Sequence, residues 1–121
     1  MGESLPIIHN IFHLTYVQNT GAAFGLLRGA RFFLIGISIA VFIAIIIYVW
    51  NRRPDNPWIQ LALGSILGGS LSNLLDRLLR GYVIDYFDFR VWPVFNVADA
   101  MINIGVAAIV IHLLFQKKGV A

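Results

Sequence analysis

Four of the six acidic residues lie close together in the second half of the chain: Asp76, Asp85, Asp88 and Asp99. They lie between and at the ends of two long apolar segments that are typical of membrane spans. A carboxylate at a membrane boundary is costly to desolvate, so such residues usually have a function. Two carboxylates that converge can share one proton and activate a water molecule. This pattern indicates an aspartyl hydrolase embedded in a membrane.

Asp85 has the environment that a general acid needs. The apolar residues on either side of it raise the pKa of a carboxyl group, because burial disfavours the charged form. Asp88 is the nearest alternative, but it lies three residues further on. Strand-like alternation therefore places the two carboxylates on opposite faces.

Asn96 and Asp99 open the last apolar segment and have two interpretations. Asn96 can be the N-cap of a helix, with Asp99 in the first turn, where the helix dipole favours an acidic residue. Asp99 can equally be catalytic. The two roles are compatible, because amide donors at the start of a helix also stabilise an ionised carboxylate.

Asp76 has neighbours that favour a structural role. Asn73 lies three residues before it and Arg80 four residues after it, so all three can share one helix face. We expect an ion pair between Asp76 and Arg80 at the membrane boundary. A carboxylate held by a guanidinium is a poor proton carrier.

Other hydrolytic chemistries fit less well. A serine peptidase would need Ser65, Ser70 or Ser72 beside His112, which lies near the far end of its own segment. The histidines lack metal-ligand spacing and there is no H-E-x-x-H motif. The absence of cysteine from the sequence excludes thiolate chemistry and disulfides. We therefore expect neither a metal nor another cofactor.

Composition points to lipid as the solvent. The chain has 121 residues, of which 59% are hydrophobic and only 12% charged. That is about half the charge of a typical soluble domain. The net charge is +3, but the basic residues are scattered, so we expect no nucleic-acid partner.

The segments suggest one α-helical integral membrane domain over residues 1–121. Three stretches approach the 20 or so residues that a span needs, and a strand-like, more polar N-terminal region and an aromatic loop complete the chain. We predict a β-rich region over 1–30, transmembrane helices over 31–50, 58–76 and 98–115, and an interfacial loop or short strands over 81–95. This order brings the four aspartates to the face that bears the N-terminal region. Basic residues are nearly balanced between the two faces, so the positive-inside rule does not orient the chain. No cleavable signal peptide is evident at the N-terminus.

Four motifs in sequence order resemble one family. They are Asn19-Thr20-Gly21-Ala22-Ala23-Phe24-Gly25, Gly68-Gly69-Ser70-Leu71-Ser72-Asn73-Leu74-Leu75-Asp76-Arg77, Gly81-Tyr82-Val83-Ile84-Asp85-Tyr86 and Phe95-Asn96-Val97-Ala98-Asp99. Each is weak alone, but together they closely resemble the lipoprotein signal peptidases, the signal peptidase II family. The resemblance covers nearly the whole chain.

The resemblance implies an aspartyl endopeptidase of the bacterial inner membrane. Its substrates would be diacylglyceryl-modified prolipoproteins, cut just before the lipidated cysteine, and its other partners would be membrane lipids. It implies that Asp85 and Asp99 are the catalytic pair and that the acidic face, with the N-terminal region and the loop, is periplasmic. It also implies substrate-binding or supporting roles for Asn19, Gly21, Asn73, Asp76, Arg77 and Asn96.

One departure from the family pattern stands out. Members usually have four transmembrane helices, and the chain begins, at Met1 to Pro6, with what resembles the segment after the first of them. We therefore keep a second hypothesis, a truncated, non-catalytic membrane protein that binds lipidated precursors or partners. A third is a small proton-coupled transport subunit. It fits less well, because transporters place acids near the midplane and show internal repeats. Oligomeric state is left open.

Overall fold

The computed structural model describes residues 2–21 and 30–119, with side chains as far as residue 116 at the C-terminal end. Met1 and residues 22–25 of the first motif lie outside the described residues. The elements, in chain order, are β1 (Ser4–Ile8), β2 (Phe12–Asn19), α1 (Arg31–Arg52), α2 (Pro57–Arg80), β3 (Val83–Asp88) and α3 (Val97–Gly119).

The described residues contain three helices that are long and apolar enough to cross a membrane. Their most apolar windows have mean hydropathies of 3.0 in α1, 1.2 in α2 and 2.0 in α3. Few residues of α1 and α3 are buried within the protein, so their apolar side chains face outward, as lipid-facing helices do. The predicted fold class, an α-helical membrane protein with a small β-rich region, is confirmed.

The connection between α1 and α2 is set by local backbone chemistry. Arg53 ends α1 in the left-handed conformation, with φ of 44° and its N–H bonded to the carbonyl of Val49. Asn56 caps α2 by accepting a 2.8 Å hydrogen bond from the Trp58 N–H, and Pro57 occupies the first turn. Proline fits there because the first N–H groups of a helix have no partner within it.

Helix α2 runs four residues further than the sequence pattern predicted. It continues past Asp76 to Arg80 and ends at Gly81, whose φ is 84° and whose N–H bonds to the carbonyl of Arg77. The two arginines lie in the last turn, where the helix dipole favours positive charge. The acidic end of α2 therefore extends beyond the apolar segment.

Helix α2 is central, because it packs against both α1 and α3. Two glycines allow the close approach of α2 and α3. A Cβ on Gly69 would lie 2.5 Å from the carbonyl oxygen of Ala98, and one on Gly105 would lie 2.6 Å from that of Ala62. Small residues at such contacts are how membrane helices pack closely. At the other end of this pair, the indole of Trp58 donates to the Ala108 carbonyl at 2.8 Å.

The three strands form one antiparallel sheet in the order β1-β2-β3. Strands β1 and β2 lie within the β-rich region predicted over residues 1–30. An irregularity between Leu14 and Val17 shifts the register of β2 against β3. On the C-terminal side of this irregularity, Val17 pairs with Asp85 and Asn19 pairs with Val83. The sheet thus presents the end of β2 and the middle of β3 to the acidic end of α2.

Candidate active site

Asp85 lies in β3 and is only 2% exposed. Its carboxylate accepts a hydrogen bond from Asn19 Nδ2 at 2.9 Å and another from Asn96 Nδ2 at 2.9 Å. Burial raises the pKa of Asp85 to about 6. The hydrogen bond from Asn19 opposes that shift, and the negative charge of Asp99 adds to it. Asp85 therefore holds a proton more readily than an ordinary aspartate does.

Asn96 and Asp99 cap the start of α3 reciprocally. The Asn96 N–H donates to Asp99 Oδ2 at 3.2 Å, and the Asp99 N–H donates to Asn96 Oδ1 at 2.9 Å. This is the geometry of a capping box, with aspartate in the position that glutamate usually takes. Because the Asn96 amide also donates to Asp85, one side chain serves both the helix start and the buried carboxylate.

Asn73 of α2 connects the two carboxylates. Its Nδ2 donates to Asp99 Oδ1 at 3.1 Å, and its Oδ1 accepts from Asn96 Nδ2 at 3.3 Å. A continuous path of hydrogen bonds therefore runs from Asp85 through Asn96 and Asn73 to Asp99. Asn73 and Asn96 are 5% and 4% exposed, so this path is shielded from solvent.

The loop after β2 is tied to the same site. The Gly21 N–H donates to Asn19 Oδ1 at 2.8 Å, which orients the Asn19 amide towards Asp85. Arg77 donates from Nη2 to the Gly21 carbonyl at 2.8 Å, and its side chain is buried. The guanidinium thus holds the loop and supplies positive charge near both carboxylates.

Two cavities lie on either side of Asn73, which lines both. The smaller, of about 180 Å³, lies between the three helices and reaches Asp99; its lining is Leu34, Ile37, Ser38, Ser70, Asn73, Arg77, Asp99, Ile102 and Asn103. The larger, of about 410 Å³, lies between α2, α3 and β3; its lining includes Gly68, Ser72, Asp76, Arg80, Tyr86, Asn96 and Met101.

Asp76 differs from the other residues singled out in the sequence. Among the described residues, the ion pair within 4.0 Å joins Asp88 to Arg90, so the expected pair of Asp76 with Arg80 is not formed. Both side chains instead line the larger cavity. The other seven, Asp85, Asp99, Asn19, Gly21, Asn73, Arg77 and Asn96, belong to one hydrogen-bonded network.

The serine and histidine of the rejected hydrolase hypothesis lie apart. Ser70 lines the small cavity beside Asp99, whereas His112 lines a separate cavity with Tyr48 and Gln116. His112 is 13 residues beyond Asp99 on α3, which corresponds to roughly 20 Å along the helix. Within the described residues, no group of three His, Asp or Glu side chains could hold a metal ion.

Sequence reasoning missed a second polar cluster at the far end of β3. Asp88 accepts from Thr15 Oγ1 at 2.6 Å, from the Arg90 N–H at 2.9 Å and from Arg90 Nη1 at 2.8 Å. The opposite charges of Asp88 and Arg90, two residues apart, could have indicated their contact. Nothing in the sequence pointed to the contact with Thr15. Tyr86, whose hydroxyl accepts from the Val97 N–H at 3.2 Å, was also missed as a contact to the start of α3.

The sequence is similar to curated bacterial proteins along almost its full length. A lipoprotein signal peptidase of Halothermothrix orenii is 49% identical over 118 residues, which are 98% of this chain and 81% of the relative. One of Moorella thermoacetica is 49% identical over 112 residues, covering 93% of this chain and 75% of that protein.

Solved structures give the same result for the fold. A bacterial membrane enzyme solved by the in meso method at 2.3 Å resolution superposes with a TM-score of 0.94 at 33% identity, covering 100% of this chain and 76% of that one. The model of the family described as "Signal peptidase (SPase) II" matches residues 1–115. With this match, the identity to its relatives and the shared fold, the chain belongs to the signal peptidase II family, which makes it an aspartic endopeptidase of a bacterial membrane.

Proposed function

We propose that this enzyme removes signal peptides from diacylglyceryl-modified prolipoproteins and cuts just before the lipidated cysteine. The observation that carries the proposal is the buried path of hydrogen bonds that links Asp85 to Asp99 through two asparagines. The names of its relatives supply the substrate class.

Asp85 and Asp99 are the proposed catalytic pair. Two carboxylates that lie close together do not both carry a negative charge easily, so the pair shares one proton. The ionised member takes a proton from a water molecule, and the oxygen of that water attacks the scissile carbonyl. The protonated member donates its proton to the carbonyl oxygen. The tetrahedral intermediate then collapses: the pair gives a proton to the leaving amine nitrogen and takes one from a hydroxyl group of the intermediate, so that it again holds one proton.

The remaining residues of the network position this pair. Asn19 and Asn96 hold the two oxygens of Asp85, and Asn73 holds one oxygen of Asp99. Arg77 anchors the loop at Gly21 and limits the build-up of negative charge. Asp76 supports the site from the larger cavity.

We further propose a location for the reaction. The protein lies in the inner membrane as a single domain, and its sheet and acidic helix ends face the periplasm. The substrate's lipid and signal-peptide helix reach the site from the bilayer, alongside the apolar spans. The N-terminal β-rich region and the segment over 81–95, which contains β3, form a cradle around the lipidated cysteine.

The test uses the purified chain in detergent with lipid and a diacylglyceryl-modified prolipoprotein. Signal-peptide release is followed on a gel for the wild type, Asp85→Asn and Asp99→Asn. Asp55→Asn is the matched control, since Asp55 is exposed in the connection between α1 and α2. We expect release by the wild type and the control, and none by the other two variants.

The outcomes separate the hypotheses. Substantial release by either site variant would refute the catalytic pair. Binding of the lipidated precursor without release by the wild type would refute the proposed cleavage of this substrate class.

A further inference from the structure

The small cavity contains polar groups that the proposed mechanism does not use. Besides Asn73, Arg77 and Asp99, its lining carries one polar side chain from each helix: Ser38 of α1, Ser70 of α2 and Asn103 of α3. Each lies within a membrane-spanning segment. The two serines have an ordinary role open to them, because small hydroxyl residues are common where membrane helices pack, whereas the larger carboxamide needs a hydrogen-bonding partner in lipid.

Asn103 has the most informative position of the three. It follows Asp99 by four residues on α3, so both project from the same helix face and are separated by about 6 Å along the axis. Asn103 is exposed, and it lines the same cavity as Asp99. Asn103 therefore lies one turn deeper in the membrane than the proposed catalytic pair.

A substrate in this cavity has a specific need at that depth. A peptide bond must be extended to be attacked, and extending the end of a signal-peptide helix frees backbone N–H and C=O groups. In lipid these groups find no water, and each one left unpaired costs several kcal/mol. A carboxamide has both donors and an acceptor, so it matches a peptide group better than it matches a lipid ester, which can only accept.

We propose that Asn103 is a substrate-positioning residue that hydrogen-bonds a backbone peptide group of the signal peptide about two residues before the scissile bond. The spacing follows from geometry, since about 6 Å corresponds to about two residues of extended chain. Ser70 and Ser38 supply further hydroxyl partners to the same stretch. This proposal rests on the proposed function, because it assumes that the substrate's scissile bond meets Asp99 in this cavity.

The test is a cycle that combines a protein change with a backbone change. Two prolipoprotein substrates are compared, one natural and one in which the peptide N–H two residues before the cleavage site is replaced by an ester oxygen. The enzymes are the wild type, Asn103→Leu and Ser70→Ala. Ser72→Ala is the control, because Ser72 lines the larger cavity on the other side of α2. Steady-state kcat and KM are measured for each combination.

We expect kcat/KM of the wild type to be roughly tenfold lower on the ester substrate than on the natural one, because one hydrogen bond to the substrate is lost. Asn103→Leu should cause a similar loss on the natural substrate and almost no further loss on the ester. Ser70→Ala should show a smaller effect, and Ser72→Ala should behave like the wild type.

Additive losses in Asn103→Leu and the ester substrate would overturn the proposal, because they would show that the two groups do not interact. A variant that only destabilised the protein would lower kcat/KM by the same factor on both substrates, which is the same additive result. Failure of the wild type to cut the natural substrate would overturn the proposed function, and this inference with it.

Discussion

Asp85 and Asp88 lie three residues apart in the same strand, and their carboxyl groups behave in opposite ways. Both are buried, at 2% and 6% exposed. Burial raises the pKa of Asp85 to about 6. The pKa of Asp88 is instead lowered, first by the hydrogen bond from Thr15 and then, against the effect of burial, by the N–H and guanidinium of Arg90.

The difference lies in the partners and not in the strand. Asp85 has neutral amides around it and a second carboxylate nearby, so nothing compensates fully for its loss of water. Asp88 has a cation in direct contact at 2.8 Å. One short strand therefore carries a carboxyl group suited to proton transfer and another suited to holding the sheet together.

The largest expected effect separates the two in catalysis. Asp85→Asn should lower the rate of signal-peptide release by about 10³-fold or more, because a proton-transfer group is lost. Asp88→Asn should leave the rate close to that of the wild type. Initial rates on the diacylglyceryl-modified precursor measure both, and equal losses in the two variants would remove the functional distinction.

A second change tests whether the amides around Asp85 matter. Asn96→Ala removes the donor to Asp85 and the cap of α3 together. We expect the rate to fall by about 10²-fold and the free energy of unfolding to fall by about 1 kcal/mol, as for a lost N-cap. Release assays and denaturation in detergent check the two effects. A loss of stability without a loss of rate would restrict Asn96 to capping.

The two carboxylates should also give stability opposite pH dependences. Between its ordinary value of 3.8 and the raised value of about 6, folded Asp85 binds more protons than the unfolded chain, so its contribution to stability declines as the pH rises through this window. Asp88 stabilises the fold above its ordinary pKa and loses that contribution as the pH falls through its lowered pKa.

Thermal unfolding of the Asp85→Asn and Asp88→Asn proteins from pH 2 to pH 7 measures this contrast. Relative to the wild type, Asp85→Asn should gain a few degrees in Tm as the pH rises from about 4 to about 6. Asp88→Asn should keep a nearly constant deficit in Tm above about pH 4, and this deficit should shrink as the pH falls further. Parallel curves for the two variants would contradict the opposite shifts.

The smallest effect isolates the Thr15 contact. Thr15→Val keeps the shape of the side chain but removes the hydroxyl that donates to Asp88 at 2.6 Å. We expect a loss of about 1 kcal/mol in the free energy of unfolding and an unchanged rate of release. Chemical denaturation and the release assay together make the measurement, and a reduced rate would connect the Asp88 cluster to catalysis.

The helices could be predicted from the sequence because lipid imposes a simple pattern on a span. The long apolar runs located α1 and α3 to within a few residues, and Pro57 marked the start of α2. The end of α2 was missed, because Arg77 and Arg80 read as boundary residues whereas the left-handed Gly81 sets the boundary. Strand β1 lies inside the β-rich region predicted over residues 1–30, but its bounds could not be read, because all its residues are exposed and no alternation of burial shaped its sequence.

The members of the hydrogen-bonded network could be singled out from the sequence, but their geometry could not, and their catalytic and binding roles stay a prediction. The family motifs singled out Asn73, Asn96 and the two aspartates. The hydrogen bonds donated by the asparagine side chains, however, join residues that are 11 to 66 positions apart. Only the packing of β2, β3 and two helices brings them together. The preferred ion pair of Asp76 failed for the same reason, because helix spacing permits the contact without requiring it.

The close contacts of Gly69 and Gly105 have a consequence for how a bulky substrate gains access. At both glycines the backbones of α2 and α3 approach closely, since an added Cβ would collide with the carbonyl oxygen of Ala98 or of Ala62. We therefore expect these two helices to move together as one rigid pair. The remaining helical wall of the small cavity comes from Leu34, Ile37 and Ser38 of α1. We expect α1 to move away from this pair within the bilayer, so that a substrate can enter laterally from the lipid.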